Sequence, residues 1–278
     1  MQDSIKAGVD VIELDVWMTP DKQVVVFHDS NFARMTEKVS ARTEGPSTLK
    51  YDDFPTLVGC KNRDQSSRCK HFSRKEWSKV PLFSDVLALT PPDVCMIVEF
   101  KQHSDELIDA VSALIDQYNR KDKTFWFSLS DSINKKLKQA DREIPTISSE
   151  IGVLKIFALY YTGLLPFFPI DDAVFGITLN PVTIEDIKRN EAMKNMPPIV
   201  HQVLAYIFKG SPPAIMIAPG LFTHLRARGI SIWFLGVNNL EDLALAIASG
   251  ATGAITDRPS WMIKEMQQHS WKFPVPKE

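Results

Sequence analysis

Asp10-Val-Ile-Glu-Leu-Asp-Val-Trp-Met-Thr-Pro-Asp-Lys-Gln-Val-Val-Val-Phe-His-Asp29 is the stretch on which the reading of this chain turns. Two β-rich runs flank Thr19, Pro20, Asp21 and Lys22, and Pro and Asp are residues that a tight turn requires, so the local expectation is an antiparallel hairpin. Four residues cannot carry a parallel crossover. A turn symmetric about Pro20 and Asp21 sets Glu13 against His28 and Asp15 against Val26. Strand alternation then collects Glu13, Asp15 and His28 on one face. Val9, Val11, Ile12, Leu14 and Val16 make the first run apolar at nearly every other position, as in a strand covered on both faces. Strands can carry isolated acids on a solvated face. In a run this apolar, acids are retained when they are paired or bound to a metal.

The totals bound the rest. A chain of 278 residues can bury a substantial core, and its formal net charge of −2 leaves no global field that would draw nucleic acid. Cys60, Cys69 and Cys95 make no framework: the number is odd, no Cys-x-x-Cys occurs, and no zinc-ligand spacing is present. Cys95 reads as core, whereas Cys60 and Cys69 lie in a polar loop and could pair in an oxidising compartment. Residues 1–8 lack a basic-then-apolar signal pattern and read as the tail of an amphipathic helix closed by Gly8.

Residues 36–80 form a polar excursion punctuated by Gly45-Pro46 and Phe54-Pro55. A short helix capped by Ser84 and stopped by Pro91-Pro92 precedes a second informative strand, residues 94–101, whose apolar run ends in alternating Glu99 and Lys101. The helix over residues 104–118 shows one apolar side. Strands then follow at residues 124–129, 144–149, 174–180, 230–237 and 253–257, with helices at 132–140, 219–228 and 240–249. Strands alternating with helices argue for a parallel sheet covered by helices. With residues 10–17 and 94–101 the parallel strands number seven, one short of a closed (β/α)8 barrel. The expected fold is therefore α/β, a (β/α)8 TIM barrel lacking its first strand, with a β-hairpin excursion and an apolar insertion. The missing strand is expected upstream of Met1.

Residues 151–170 are the most apolar stretch. The length passes a simple transmembrane window, but strands of one barrel lie on both sides of it in sequence, and a closed barrel cannot straddle a bilayer. The expectation is a monotopic, membrane-contacting insertion. A helical hairpin buried in the outer ring is the alternative.

With Glu13-Leu14-Asp15, His28-Asp29 and Glu99-x-Lys101 in this order, the chain resembles the glycerophosphodiester phosphodiesterase family. Tyr160-Tyr-Thr-Gly-Leu-Leu-Pro-Phe-Phe-Pro-Ile170 and Gly250-Ala-Thr-Gly-Ala-Ile-Thr-Asp257 followed by Pro259 resemble its animal membrane-associated branch, which acts as lysophospholipase D. The resemblance implies a single domain over residues 1–278, amino-terminally incomplete. It implies that Glu13, Asp15 and Glu99 are divalent-metal ligands, His28 an acid/base group and Lys101 a cation for the phosphate. Three carboxylates make a hard oxygen site, suited to Mg²⁺ or Ca²⁺. The implied substrate is a lysophospholipid or glycerophosphodiester, the implied partner a membrane surface, at the endoplasmic reticulum or another intracellular membrane, and the implied products are lysophosphatidic acid and a head-group alcohol.

The family also carries a His-Arg-Gly motif at the end of its first strand and the branch an amino-terminal anchor helix, and nothing upstream of Gly8 matches either. Leu235 stands where the branch tends to have tryptophan. His71 and His201 read as loop and packing residues, and His103 as a solvated or capping residue near Lys101. A non-catalytic, phospholipid-binding truncated isoform is therefore the alternative to an enzyme. A barrel phosphodiesterase of glycerophosphoinositol or glycerophosphocholine is a further one.

Overall fold

The structure, a computed structural model, describes residues 1–36, 43–57, 78–178, 197, 198, 202 and 217–274. His71, His201, Cys60 and Cys69 lie outside the described residues. The chain divides into two compact units, one of Met1–Val9, Phe127–Lys135 and Pro145–Glu278, the other of Asp10–Trp126 and Lys136–Ile144.

In the second unit β1 (Val11–Met18) lies between β2 (Val24–Val26), antiparallel, and β3 (Cys95–Phe100), parallel, with β4 (Thr124–Phe127) beyond β3. The hairpin is present, but its register differs from the expectation by one residue: Val16 pairs with Val26, not Asp15. The cause is the loop. Lys22 N–H donates to the Thr19 carbonyl at 2.9 Å and Thr19 N–H to the Gln23 carbonyl at 3.0 Å, while Lys22 takes φ 65°. A turn followed by one left-handed residue is a three-residue bulged loop, so the symmetry centre falls on Asp21 instead of between Pro20 and Asp21.

α2 (Phe83–Leu89) begins after Leu82 without a side-chain cap, so Ser84 lies inside the first turn and does not cap it. Ser104 does cap α3 (Asp105–Gln117), accepting from Leu107 N–H at 3.2 Å, and Leu107, Ile108, Val111 and Ile115 form its buried stripe. Cys95 is half-buried at the start of β3, outside the core expected for it. The polar excursion nonetheless has an anchor. Phe32 and Leu57 pack with Trp17, Val25, Phe27 and Val80 in an apolar cluster.

In the first unit β5 (Val174–Thr178), β6 (Ser231–Leu235) and β7 (Gly253–Ile255) run parallel in that order. The strand expected at residues 144–149 is reduced to one parallel bridge, Ile147 with Val174. Pro145 has no N–H to give. Ala173 N–H still donates to the Thr146 carbonyl at 3.0 Å and Ser148 N–H to the Val174 carbonyl at 2.9 Å, and side chains add to them: the Thr146 hydroxyl donates to Asp172 at 2.7 Å and Ser148 Oγ to the Val174 carbonyl at 3.1 Å. After α4 (Asp131–Ala140), α5 (Glu150–Tyr161), α6 (Pro219–Ala227) and α7 (Leu240–Ser249) cover the sheet through Phe157, Leu221, Phe222 and Leu243. α1 (Gln2–Ala7), ended by Gly8 at φ 87°, packs on α8 (Pro259–Gln268).

The apolar stretch splits between two roles. Val153, Ile156, Phe157 and Leu165 are core, while Tyr161, Leu164, Phe167 and Phe168 stay exposed, Phe167 at 80%. Arg228 pins this tip by donating to the Leu165 carbonyl at 3.3 Å and the Phe168 carbonyl at 2.9 Å. Among the described residues no helix is long and apolar enough to cross a membrane.

Candidate active site

The parallel register of β1 on β3 sets Asp15 directly beside Glu99 and Glu13 beside Ile97. Paired residues share a face, as do residues two apart on a strand, so Glu13, Asp15, Glu99 and Lys101 belong to one face. Lys101 keeps that face because its N–H continues the ladder to the Val16 carbonyl at 3.4 Å. One carboxylate oxygen from each of Glu13, Asp15 and Glu99 lies within 4.8 Å of the others. That separation is no wider than the span across a bound calcium ion, whose oxygens lie at about 2.3–2.6 Å. Asp15 and Glu99 are buried and Glu13 is exposed.

Lys101 Nζ reaches both buried carboxylates, 2.7 Å from Glu99 Oε1 and 2.9 Å from Asp15 Oδ1. The contact to Asp15 is a charge contact, and among the described residues no group donates an aligned hydrogen bond to that buried oxygen. An anionic oxygen left so has lone-pair capacity for a cation, and the all-oxygen donor set fits a hard divalent ion. Burial pushes the Glu99 carboxyl above its ordinary range, and Asp15 adds to this, while Lys101 and the His28 side chain pull against it. Burial pulls the Lys101 ammonium down, but Glu99 and Asp15 outweigh it, and its pKa is raised.

β2 ends at Val26, and the next backbone N–H, of Phe27, donates to the Asp15 carbonyl at 2.9 Å. His28 therefore sits in a bend past the strand and does not face Glu13 by strand alternation. Its ring is exposed, and Nδ1 lies 2.7 Å from Asp29 Oδ1.

The sequence profile of the Glycerophosphoryl diester phosphodiesterase family matches residues 1–260. The chain belongs to that family. Two relatives are human: lysophospholipase D GDPD1, 31% identical over 259 residues, 93% of this chain and 77% of that protein; and lysophospholipase D GDPD3, 30% identical over 272 residues, 97% of this chain and 80% of that protein. Solved structures share the TIM-barrel-like fold at low identity. A glycerophosphodiester phosphodiesterase from Agrobacterium tumefaciens aligns with TM-score 0.62 at 17% identity, covering 96% of this chain and 90% of that one. A phosphodiesterase from Oleispira antarctica, solved in complex with the product sn-glycerol-3-phosphate, aligns with TM-score 0.59 at 15% identity, covering 94% and 87%.

In this glycerophosphoryl diester phosphodiesterase, a phosphoric diester hydrolase by class, an ion pair beside His28 was not foreseen from the sequence. Arg34 closes on Asp29 from behind, Nε to Oδ2 at 2.7 Å and Nη2 to Oδ1 at 3.0 Å. The signal was faint, since only the turn begun by Asn31, whose side chain accepts from Ala33 N–H at 3.0 Å, brings Arg34 back. His103 is exposed, and Ser104 takes the capping role. Leu235 ends β6, beside Thr178 and Ile255.

Proposed function

We propose that this phosphodiesterase is a metal-dependent hydrolase of lysophospholipids or glycerophosphodiesters that frees the head-group alcohol, leaving lysophosphatidic acid when the substrate carries one acyl chain. The observation that carries the reading is the cluster of Glu13, Asp15 and Glu99 with Lys101 against its two buried members. The relatives named lysophospholipase D and the neighbour solved with sn-glycerol-3-phosphate support the substrate class.

Glu13, Asp15 and Glu99 would hold Mg²⁺ or Ca²⁺. When bound, the ion supplies Lewis-acid stabilisation of the charge that develops on phosphoryl oxygens. Lys101, a raised-pKa ammonium, stays charged through the physiological range and offers a cation to a non-bridging oxygen. His28 holds or delivers a proton at Nε2, the ring nitrogen opposite the one facing Asp29. Attack by the free glyceryl hydroxyl on phosphorus, with departure of the head-group alkoxide and its protonation, then water opening of the cyclic phosphate, accounts for a single acyl chain. Equal turnover of a diacyl phospholipid excludes that route.

The exposed tip of Tyr161, Leu164, Phe167 and Phe168 supports docking to a lipid surface, since burying each such side chain contributes about 1.5–3 kcal/mol. The membrane we propose is the endoplasmic reticulum or another intracellular one. The test is choline release from lysophosphatidylcholine by the detergent-purified chain with Mg²⁺ or Ca²⁺. Turnover lost with chelator and with Glu99→Gln is the expected result. A folded, metal-binding chain that partitions to vesicles with no turnover in any sample overturns catalysis in favour of a lipid-binding role.

A further inference from the structure

Asp29 is more enclosed than the histidine it touches: its side chain is 19% exposed, that of His28 69%. Burial pushes the Asp29 carboxyl up, but the Arg34 and His28 contacts outweigh it and hold it below the ordinary carboxylate range. An ionised carboxylate only accepts. The nitrogen 2.7 Å from Asp29 Oδ1 must therefore be a donor, Nδ1–H, and in the neutral ring this makes Nε2 the open acceptor.

What keeps Asp29 from swinging away is also visible. Arg34 grips both oxygens side-on through Nε and Nη2, a planar fork that one ammonium could not reproduce. The turn that returns Arg34 is fixed at Phe32, which is fully buried with its ring 5.1 Å from that of Phe27 and 4.9 Å from that of Phe54. Phe32 N–H donates to the Glu44 carbonyl at 3.0 Å, and Met35 N–H to the Phe32 carbonyl at 3.0 Å. The exposed imidazole thus stands on a packed base.

We infer that Asp29 and Arg34 are positioning residues: Arg34 locks the Asp29 carboxylate, and the carboxylate fixes His28 in the Nδ1–H tautomer with Nε2 turned to the substrate side. The inference rests on the acid/base role proposed for His28. Proton transfer is conservative. Nε2 accepts the proton of the attacking hydroxyl and later gives it to the departing head-group oxygen, while Nδ1 keeps its own and Asp29 never takes one. An Nε2–H tautomer has no lone pair at that nitrogen and cannot begin the step.

The test reads the tautomer directly. The full chain is labelled with ¹⁵N-histidine, and long-range proton–nitrogen spectra are taken at alkaline pH, where the ring is neutral; the His28 signals are those that vanish in His28→Gln. Wild type should show Nδ1–H. Asp29→Asn should move His28 to the Nε2–H form or a mixture, with kcat for choline release falling about 10²–10⁴-fold and KM within about threefold. Arg34→Lys keeps the charge and loses the fork, so it should give a tautomer mixture and a smaller fall in kcat; this variant decides the matter if Asp29→Asn does not fold. Nε2–H in wild type overturns the relay, as does an unchanged Nδ1–H signal in the folded variants. Wild-type turnover in His28→Gln with Nδ1–H intact in the wild-type protein supports the tautomer lock and overturns only the acid/base role of His28.

Discussion

Replacing Lys101 with Met keeps most of the length of the side chain and removes the ammonium that faces Asp15 and Glu99 at 2.9 and 2.7 Å. At an effective dielectric near 20, unit charges about 3 Å apart attract by about 5–6 kcal/mol. Most of this is offset by the desolvation of the ammonium, and removing one partner of a buried pair leaves a net loss of about 3–5 kcal/mol. For a chain of this size that is on the order of 10 °C in Tm. The loss has a pH signature whose sign follows from Glu99. Its carboxyl is already raised by burial in the presence of Lys101, so the native state holds that proton more tightly than the unfolded chain, and stability falls as pH rises through the interval between the unfolded and folded values. Without Lys101 the folded value climbs further and the interval widens, so the deficit of Lys101→Met is largest at mildly alkaline pH and shrinks on acidification. Millimolar Mg²⁺ or Ca²⁺ should restore the variant more than wild type, because a bound cation returns the missing charge. Thermal melts in chelator and in each metal, at acid and alkaline pH, check all three points. A variant that melts with wild type in chelator, or a deficit that does not change with pH, refutes the account of the buried carboxylates.

Other outcomes follow from single contacts. Gly45→Ala places a Cβ 1.9 Å from the Ser30 carbonyl oxygen; backbone must move, so denaturant melts should show a loss of about 2–4 kcal/mol by the mechanism of overpacking. Asn134→Leu removes the Nδ2–H that the Ile147 carbonyl accepts at 2.9 Å in the interior, and the stranded acceptor should cost about 1–3 kcal/mol in the same assay. Phe167→Gln alters a side chain that is 80% exposed; stability should stay within about 0.5 kcal/mol of wild type while sedimentation with phosphatidylcholine vesicles falls. Lowering the pH below the ordinary carboxylate range should loosen the 28–34 segment, because the depressed Asp29 carboxyl contributes stability above its unfolded pKa and loses it as pH falls through its folded one. Amide exchange at Phe32 and Met35 is the readout.

Where the sequence reading failed, local chemistry had outweighed a pattern. The hairpin was legible from Pro20 and Asp21 between two β-rich runs, but Lys22 in the left-handed region shifted its register by one, and a period of two turns one residue of error into the opposite face. The strand at residues 144–149 read as β from its Ile and Thr, and its backbone does bond to Ala173 and Val174, yet Pro145 offers no N–H and the pairing stays at one bridge. Ser84 had the right chemistry for a cap and the wrong place by two residues. The helices expected over residues 104–118 and 240–249 were read nearly to the residue, since Ser104, Asn239 and Gly250 state their ends in local hydrogen bonds.

The donor set was written in the residues: three carboxylates at the ends of apolar strands, with an ammonium two residues beyond one of them, are the kind of group that fits a hard divalent cation. Their convergence was not. Asp15 meets Glu99 only because β1 and β3 pair in parallel with one register, and that register joins segments far apart in sequence. Hairpin contacts form from neighbouring residues and leave local marks, whereas a parallel ladder is selected by the burial of whole strands under helices, which no short stretch records. The same holds for Arg34. Its fork on Asp29 depends on Phe32 finding Phe27 and Phe54, and packing of that kind exists only once the chain has folded.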